Sequence, residues 1–295
     1  MRIEKILLFV SLFFLLNASF AQTETNTLEN LRSDLNQLIG SFDAQVGVGV
    51  KHLESGDTLT INNSFQYPTQ SVYKFPLALA ILKEVDLGKL TIDQKINITK
   101  EDLHSNTWSP LAKEYPNGNV DLTIEQLLSY TVSKSDNNTC DILFKILGGP
   151  KEVEKQMRDW GYFNIAIQTT EVEMHIGGDS AQQANWCQPF ELIQMLEDFY
   201  LGKLISEKST KILMLQMIET STGEKRIKGL LPKKTITAHK TGSGNKVVND
   251  VGIITLPDGT HLILSVFICN AKEEYEASEE LVAKISKATY DFFVN

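Results

Sequence analysis

The sequence predicts a mixed α/β (α+β) fold: one five-stranded antiparallel sheet flanked by helices, with an all-helical lobe packed against it. Strand-like segments fall in two groups, two near the start of the chain and three near its end. A long stretch of helical texture separates them, and an amphipathic helix lies outside each group. Two distant strand groups pair most economically in one sheet, with the first and last helices on one face and the helical insertion on the other.

Leu28, Leu31, Leu35, Leu38 and Ile39 recur at helical spacing and predict a helix over residues 25–40. Residues 46–53 and 58–62 read as strands joined by the turn Glu54-Ser55-Gly56-Asp57. Helical segments follow near 71–86, 123–134, 136–147, 150–160, 189–201 and 206–219. Loops rich in Pro, Gly, Asn and Asp separate them, notably 105–119 and 169–185. Strand character returns at 235–239, 251–256 and 261–269, with Pro257-Asp258-Gly259 as the turn between the last two. A final helix spans 274–293, with Leu281, Ile285 and Phe292 among its apolar positions. This layout predicts a single domain over 22–295, with one lobe from about 22–67 and 220–295 and a helical lobe from about 68–219. The cleft between lobes is where a ligand site belongs.

The first residues, Met1-Arg2-Ile3-Glu4-Lys5, an apolar run from Ile6 to Leu16 and the ending Asn17-Ala18-Ser19-Phe20-Ala21, read as a secretory signal peptide over 1–21. The run is too short for a membrane span, which needs roughly 20 apolar residues. A periplasmic destination is expected. The net charge of −9 argues against nucleic acid as a partner. Cys140, Cys187 and Cys269 allow at most one disulfide, and three buried free thiols are the favoured case. The five histidines lack metal-ligand spacing, so neither a metal nor another cofactor is expected.

Three short motifs in a fixed order carry the chemistry: Ser71-Val72-Tyr73-Lys74, Ser135-Asp136-Asn137 and Lys240-Thr241-Gly242. A lone Ser-x-x-Lys is weak, since about one arises by chance in a chain this long, and Ser243-Gly244-Asn245-Lys246 also fits. Each motif has a plainer reading by itself: an N-cap beside a surface lysine, a pair of helix caps, and a strand end. Capping suits Asp136 well. The ordered set, with Glu171 between its second and third members, supplies a nucleophile, groups to activate it and a cation for an anionic substrate. Ser71 and Lys74 lie three apart at the start of an apolar helix and share a face. Burial would lower the Lys74 pKa and let it act as a base. Gly242 permits close backbone approach, so an extended ligand can align along its strand.

These residues resemble the class A serine β-lactamases over the whole length after the leader. The resemblance implies the fold shared with penicillin-binding proteins and hydrolysis of a β-lactam amide through an acyl-serine intermediate. It implies Ser71 as nucleophile, Lys74 as a base for acylation, Ser135 as proton shuttle and Glu171 as the deacylating base. Whether Lys74 or Glu171 takes the first proton stays open. Asn137 would contact the acylamino side chain, Lys240 and Thr241 the substrate carboxylate, and the backbone N–H groups of Ser71 and Ser243 the oxyanion. Arg226 matches an alternative carboxylate-binding arginine, although Lys225-Arg226-Ile227-Lys228 also reads as a solvated charge run. His239 reads as structural. Gln70 stands where many members have Cys, His175 where Asn is usual, and Thr169 where an Arg commonly pins the loop. With Trp108 beside the site and an unusual stretch over 176–186, the chain looks like the extended-spectrum PER and VEB subgroup. That implies a roomier cleft, with Trp108 and His175 near bulky oxyimino-cephalosporins, and a monomer acting on small β-lactams.

Two rivals share the Ser-x-x-Lys chemistry: a D,D-peptidase or penicillin-binding protein, and a β-lactam sensor that does not hydrolyse. Glu171 argues against the first and the unbroken motifs against the second. No Gly-x-Ser-x-Gly elbow supports a generic esterase.

Overall fold

The computed structural model describes residues 27–294; the expected signal peptide at 1–21 lies outside them. Helix α1 (Leu28–Gly40) begins where the Thr27 hydroxyl accepts the Asn30 N–H, and it buries Leu31 and Leu35. A hairpin follows, β1 (Gln45–His52) with β2 (Thr58–Ile61), then the short β3 (Tyr67–Pro68). A 3-10 turn, Gln70–Tyr73, runs straight into α2 (Lys74–Asp86), in which every residue from Lys74 to Leu82 is buried.

The insertion continues with β4 (Lys95–Ile98), α3 (Pro110–Glu114), β5 (Val120–Thr123), α4 (Ile124–Ser133), α5 (Asn137–Leu147) and α6 (Pro150–Asp159). Then come β6 (Ile165–Ala166), α7 (Glu171–Gln182), β7 (Trp186–Cys187), α8 (Pro189–Tyr200) and α9 (Glu207–Ile218). The chain returns to the main sheet as β8 (Thr237–Gly244), β9 (Val247–Thr255) and β10 (His261–Cys269), and α10 (Tyr275–Val294) follows. The sheet has five antiparallel strands in the order β2-β1-β10-β9-β8.

Side-chain alternation sorts the sheet into two faces. Val48, Val50, Leu262, Leu264, Val266 and Ile268 pack with Leu31 and Leu35 of α1 and with Leu281 and Ile285 of α10. Val251, Ile253, Ile263 and Phe267 face the other way and join Leu77, Leu127, Leu143 and Ile193 of the helical lobe. Each large apolar side chain so buried contributes about 1.5–3 kcal/mol, and these two cores hold the layers together. The predicted architecture, terminal helices on one face and the helical insertion on the other, is what the structure has.

The departures are local. The loop expected over 169–185 contains α7, which kinks at Gly178, where the backbone leaves the helical region. The loop over 105–119 contains α3. Strand β8 does not stop at His239 but runs on through Gly244, so the Lys-Thr-Gly motif lies inside a strand. The β4–β5 pair was not predicted. All three cysteines are buried and free. No helix among the described residues is long and apolar enough to cross a membrane.

Candidate active site

The nucleophile candidate is held by strain and by a lysine. Gln70 adopts a left-handed backbone with φ of 47°, which costs a non-glycine residue about 1–3 kcal/mol and aims the following turn. Thr69, just upstream, donates both its N–H and its hydroxyl to the Asn185 carbonyl, at 2.9 and 3.1 Å. The Lys74 side chain is fully buried. Its Nζ lies 2.9 Å from Ser71 Oγ, 2.9 Å from the Ser135 carbonyl, 2.5 Å from Asn137 Oδ1 and 2.8 Å from Glu171 Oε1. Four oxygens therefore surround a group that can donate at most three hydrogens, so not all four contacts can be hydrogen bonds at once.

Ser135 also has a left-handed backbone, φ 55°. Asp136 locks this turn. Its carboxylate caps α5 through the Thr139 N–H at 2.9 Å and reaches back to the Ser109 hydroxyl and the Leu111 N–H at 2.8 and 2.7 Å. The Ser135 hydroxyl accepts from Lys240 Nζ at 2.8 Å, and Lys240 also donates to the Thr241 carbonyl at 2.9 Å. Burial, and then the neighbouring Lys74, push the Lys240 ammonium well below the usual lysine range. Asn137 donates to Thr107 Oγ1 at 2.7 Å while its oxygen faces Lys74. The three motifs thus converge from three separate stretches of chain.

Strand β8 crosses the 3-10 turn with almost no gap. A Cβ at Gly242 would stand 2.4 Å from the Thr69 carbonyl oxygen, so glycine is what lets Ser243 approach Ser71. The Thr241 hydroxyl bonds that of Thr222 at 2.6 Å. Arg226 is 3% exposed, which excludes the solvated charge run for this residue, although Lys225 beside it is exposed. Its Nη2 donates to Ser243 Oγ at 2.7 Å and to the Tyr275 hydroxyl, and Glu279 pairs with its Nε at 3.1 Å. Tyr275 and Glu279 escaped the sequence reading because no motif marks them.

Glu171 opens α7, where a capping box of Thr170 and Glu173 fixes the first turn. Asp141 of α5 accepts the N–H groups of Glu171 and Val172 at 2.8 and 3.0 Å. The loop is pinned by Asn185, whose Oδ1 accepts from Gln168 and Thr169 at 2.7 and 3.0 Å and whose Nδ2 donates to the Thr169 carbonyl at 2.9 Å. His175 lies one helical turn, about 6 Å, beyond Glu171, is exposed, and lines a cavity of about 250 Å³ whose walls also include Glu171 and Asn137. His239 is buried against Asp250 at 2.9 Å, as a structural residue would be.

A cleft of about 760 Å³ collects Ser71, Ser135, Asn137, Glu171, Thr241 and Arg226 on its walls. Trp108 forms part of its rim, 52% exposed and tethered by a bond from Nε1 to the Lys134 carbonyl at 2.9 Å. A hydroxyl beside a buried amine and a carboxylate, with a second hydroxyl on a buried lysine, is equipment for acyl transfer.

The profile of the beta-lactamase enzyme family matches residues 30–293. The chain belongs to that family. It is 43% identical over 298 residues to Beta-lactamase VEB-1 of Pseudomonas aeruginosa, covering 98% of this chain and 97% of that protein. It is 36% identical over 285 residues to the extended-spectrum beta-lactamase PER-1 of the same organism, covering 94% and 92%. The crystal structure of TLA-3 extended-spectrum beta-lactamase matches with a TM-score of 0.89 at 40% identity, over 91% of this chain and 100% of that one. An ancestral class A beta-lactamase matches at 0.82 and 25% identity, over 88% and 99%. The class A resemblance and its fold are borne out, and the protein is a serine β-lactamase, an enzyme that hydrolyses β-lactam amides.

Proposed function

We propose that the protein hydrolyses penicillins and cephalosporins, oxyimino-cephalosporins included, as an exported periplasmic monomer that confers antibiotic resistance. One observation carries the mechanism: Lys74 Nζ bridges Ser71 Oγ and Glu171 Oε1, and Oε1 itself lies 3.5 Å from Oγ. Either group can receive the Ser71 proton as Oγ attacks the lactam carbonyl, with Lys74 the nearer. The developing oxyanion sits between the backbone N–H groups of Ser71 and Ser243. Ser135, bonded to Lys240, hands a proton to the lactam nitrogen as the C–N bond breaks. The proton taken from Ser71 passes on to Ser135, which leaves Glu171 ionised; Glu171 then takes a proton from water as the water attacks the acyl-serine, and that proton returns to Ser71 Oγ as the acid is freed. Asn137 holds the acylamino side chain, and Lys240, Thr241, Ser243 and Arg226 hold the carboxylate.

The breadth of substrate is supported by the open cleft with a second cavity behind Glu171 and by the names of PER-1 and TLA-3. We read residues 22–295 as one catalytic domain released after cleavage of the leader. Steady-state turnover of that protein with a chromogenic cephalosporin, followed by intact-protein mass spectrometry, tests the reading. Sustained turnover without a lasting adduct is expected, and Ser71→Ala should abolish it without unfolding the chain. A single stoichiometric burst ending in a stable adduct would refute it.

A further inference from the structure

All five N–H groups of Arg226 are engaged. Nε donates to Glu279 Oε1 at 3.1 Å, and Nη1 to the Gly242 and Asn249 carbonyls at 3.1 and 2.8 Å. Nη2 donates to Ser243 Oγ at 2.7 Å and to the Tyr275 hydroxyl. The two ends of the guanidinium differ in where they face. Nη1 is turned inward to backbone oxygens, whereas the partners of Nη2 lie on the cleft wall. A carboxylate arriving in the cleft therefore finds no free hydrogen on Arg226.

The acceptors already on Nη2 are two oxygens side by side. The Tyr275 hydroxyl donates to Ser243 Oγ at 2.8 Å, so the two touch each other as well as the arginine. They imitate the oxygen pair that a carboxylate presents to a guanidinium edge. Tyr275 is the first residue of α10, and it is 39% exposed. Its ring stands 5.6 Å from the Arg226 guanidinium carbon, which keeps it close without burying it.

We infer that Tyr275 is a specificity-determining residue: its hydroxyl holds the place of the substrate carboxylate on Arg226 and must leave Nη2 before that anion docks. The inference rests on the hydrolytic reading above and adds a competitor within the same site. Substrates carrying the acid must displace the phenol, while substrates lacking it need not. Tyr275 so discriminates at the point where the acid meets the enzyme, and it takes no part in bond making or breaking.

The test compares a cephalosporin bearing a free carboxylate with its methyl ester, on the wild type and on Tyr275→Phe. The phenylalanine keeps the ring and removes only the competing oxygen. For the acid, kcat/KM should rise about three- to tenfold, the worth of one hydrogen bond, mainly through KM. For the ester it should stay unchanged. A fall for the acid would make the hydroxyl a binding group, and equal shifts or no shift on both substrates would make it a bystander; each overturns the inference. A wild type that turns over neither substrate would instead refute the hydrolytic reading, whatever the variant does.

Discussion

The Asp141 carboxylate holds the first turn of α7 by accepting the Glu171 N–H at 2.8 Å, and its second oxygen accepts the Val172 N–H at 3.0 Å. A side chain on one helix therefore sets the height of the proposed general base on another. Burial pushes Asp141 up to about 7, against about 3.9 in an unfolded chain. With the folded value raised, the native state holds an extra proton between those two, so this group's contribution to stability falls as pH rises from about 4 to about 7. Asp141→Asn cannot ionise and should remove that slope. Urea midpoints of both proteins at pH 5 and pH 8 check it, and parallel pH trends would count against the assignment.

Glu171→Gln keeps the shape of the side chain and its place beside Lys74 but removes the base. Deacylation should slow by about 10²–10⁴-fold, leaving an adduct visible as a mass increase on the Ser71 peptide. Rapid release of product from this variant would put the water-activating role elsewhere.

Gly242→Ala places a methyl group 2.4 Å from the Thr69 carbonyl oxygen, against backbone rather than a yielding side chain. A loss of about 1–3 kcal/mol in folding stability is expected, with a fall in kcat as Ser243 moves away from Ser71. Denaturant curves and kinetics on the same preparation separate the two effects. Unchanged values on both would mean the strand and turn are less tightly pressed together than their contact distance implies.

Asn185→Ala leaves the Gln168 and Thr169 N–H groups and the Thr169 carbonyl without their partners at one stroke. An unpaired group costs about 1–3 kcal/mol when buried; these three are only part-buried and water reaches some of them, so a total loss of about 2–4 kcal/mol is expected. Limited proteolysis should open the chain first within 169–185. Cleavage elsewhere, at wild-type rates, would show that the loop has other anchors.

Much of this was legible in the residues. The alternation of Leu262, Leu264 and Val266 with Ile263 and Phe267 fixes which face each layer covers, and motif order brings Ser71, Ser135 and Lys240 together. Helix α7 was missed because Gly177, Gly178 and a run of polar residues look like a loop, and among its described side chains only Met174 is buried core. A signal was there: Thr170-Glu171-Val172-Glu173 is a capping-box spacing. Asn185 gave none. One asparagine in a polar stretch says nothing of a carbonyl and two amides waiting across the loop. Arg226 looked like part of a charged run because burial is decided by Glu279 and Tyr275, more than forty residues away in sequence and adjacent only in the fold.

The three cysteine side chains are buried, and burial pushes the Cys140 and Cys187 thiols up, with Cys269 at about 11. Little thiolate is available for oxidants to attack, and none of the three is tied to another. Cohesion between the sheet and the helical insertion is therefore wholly non-covalent. The unfolding midpoint should be the same with and without dithiothreitol. Maturation then asks nothing of a cell's thiol-oxidising machinery, which makes the enzyme portable: a bacterium with a different oxidative folding system would still produce it in its native form.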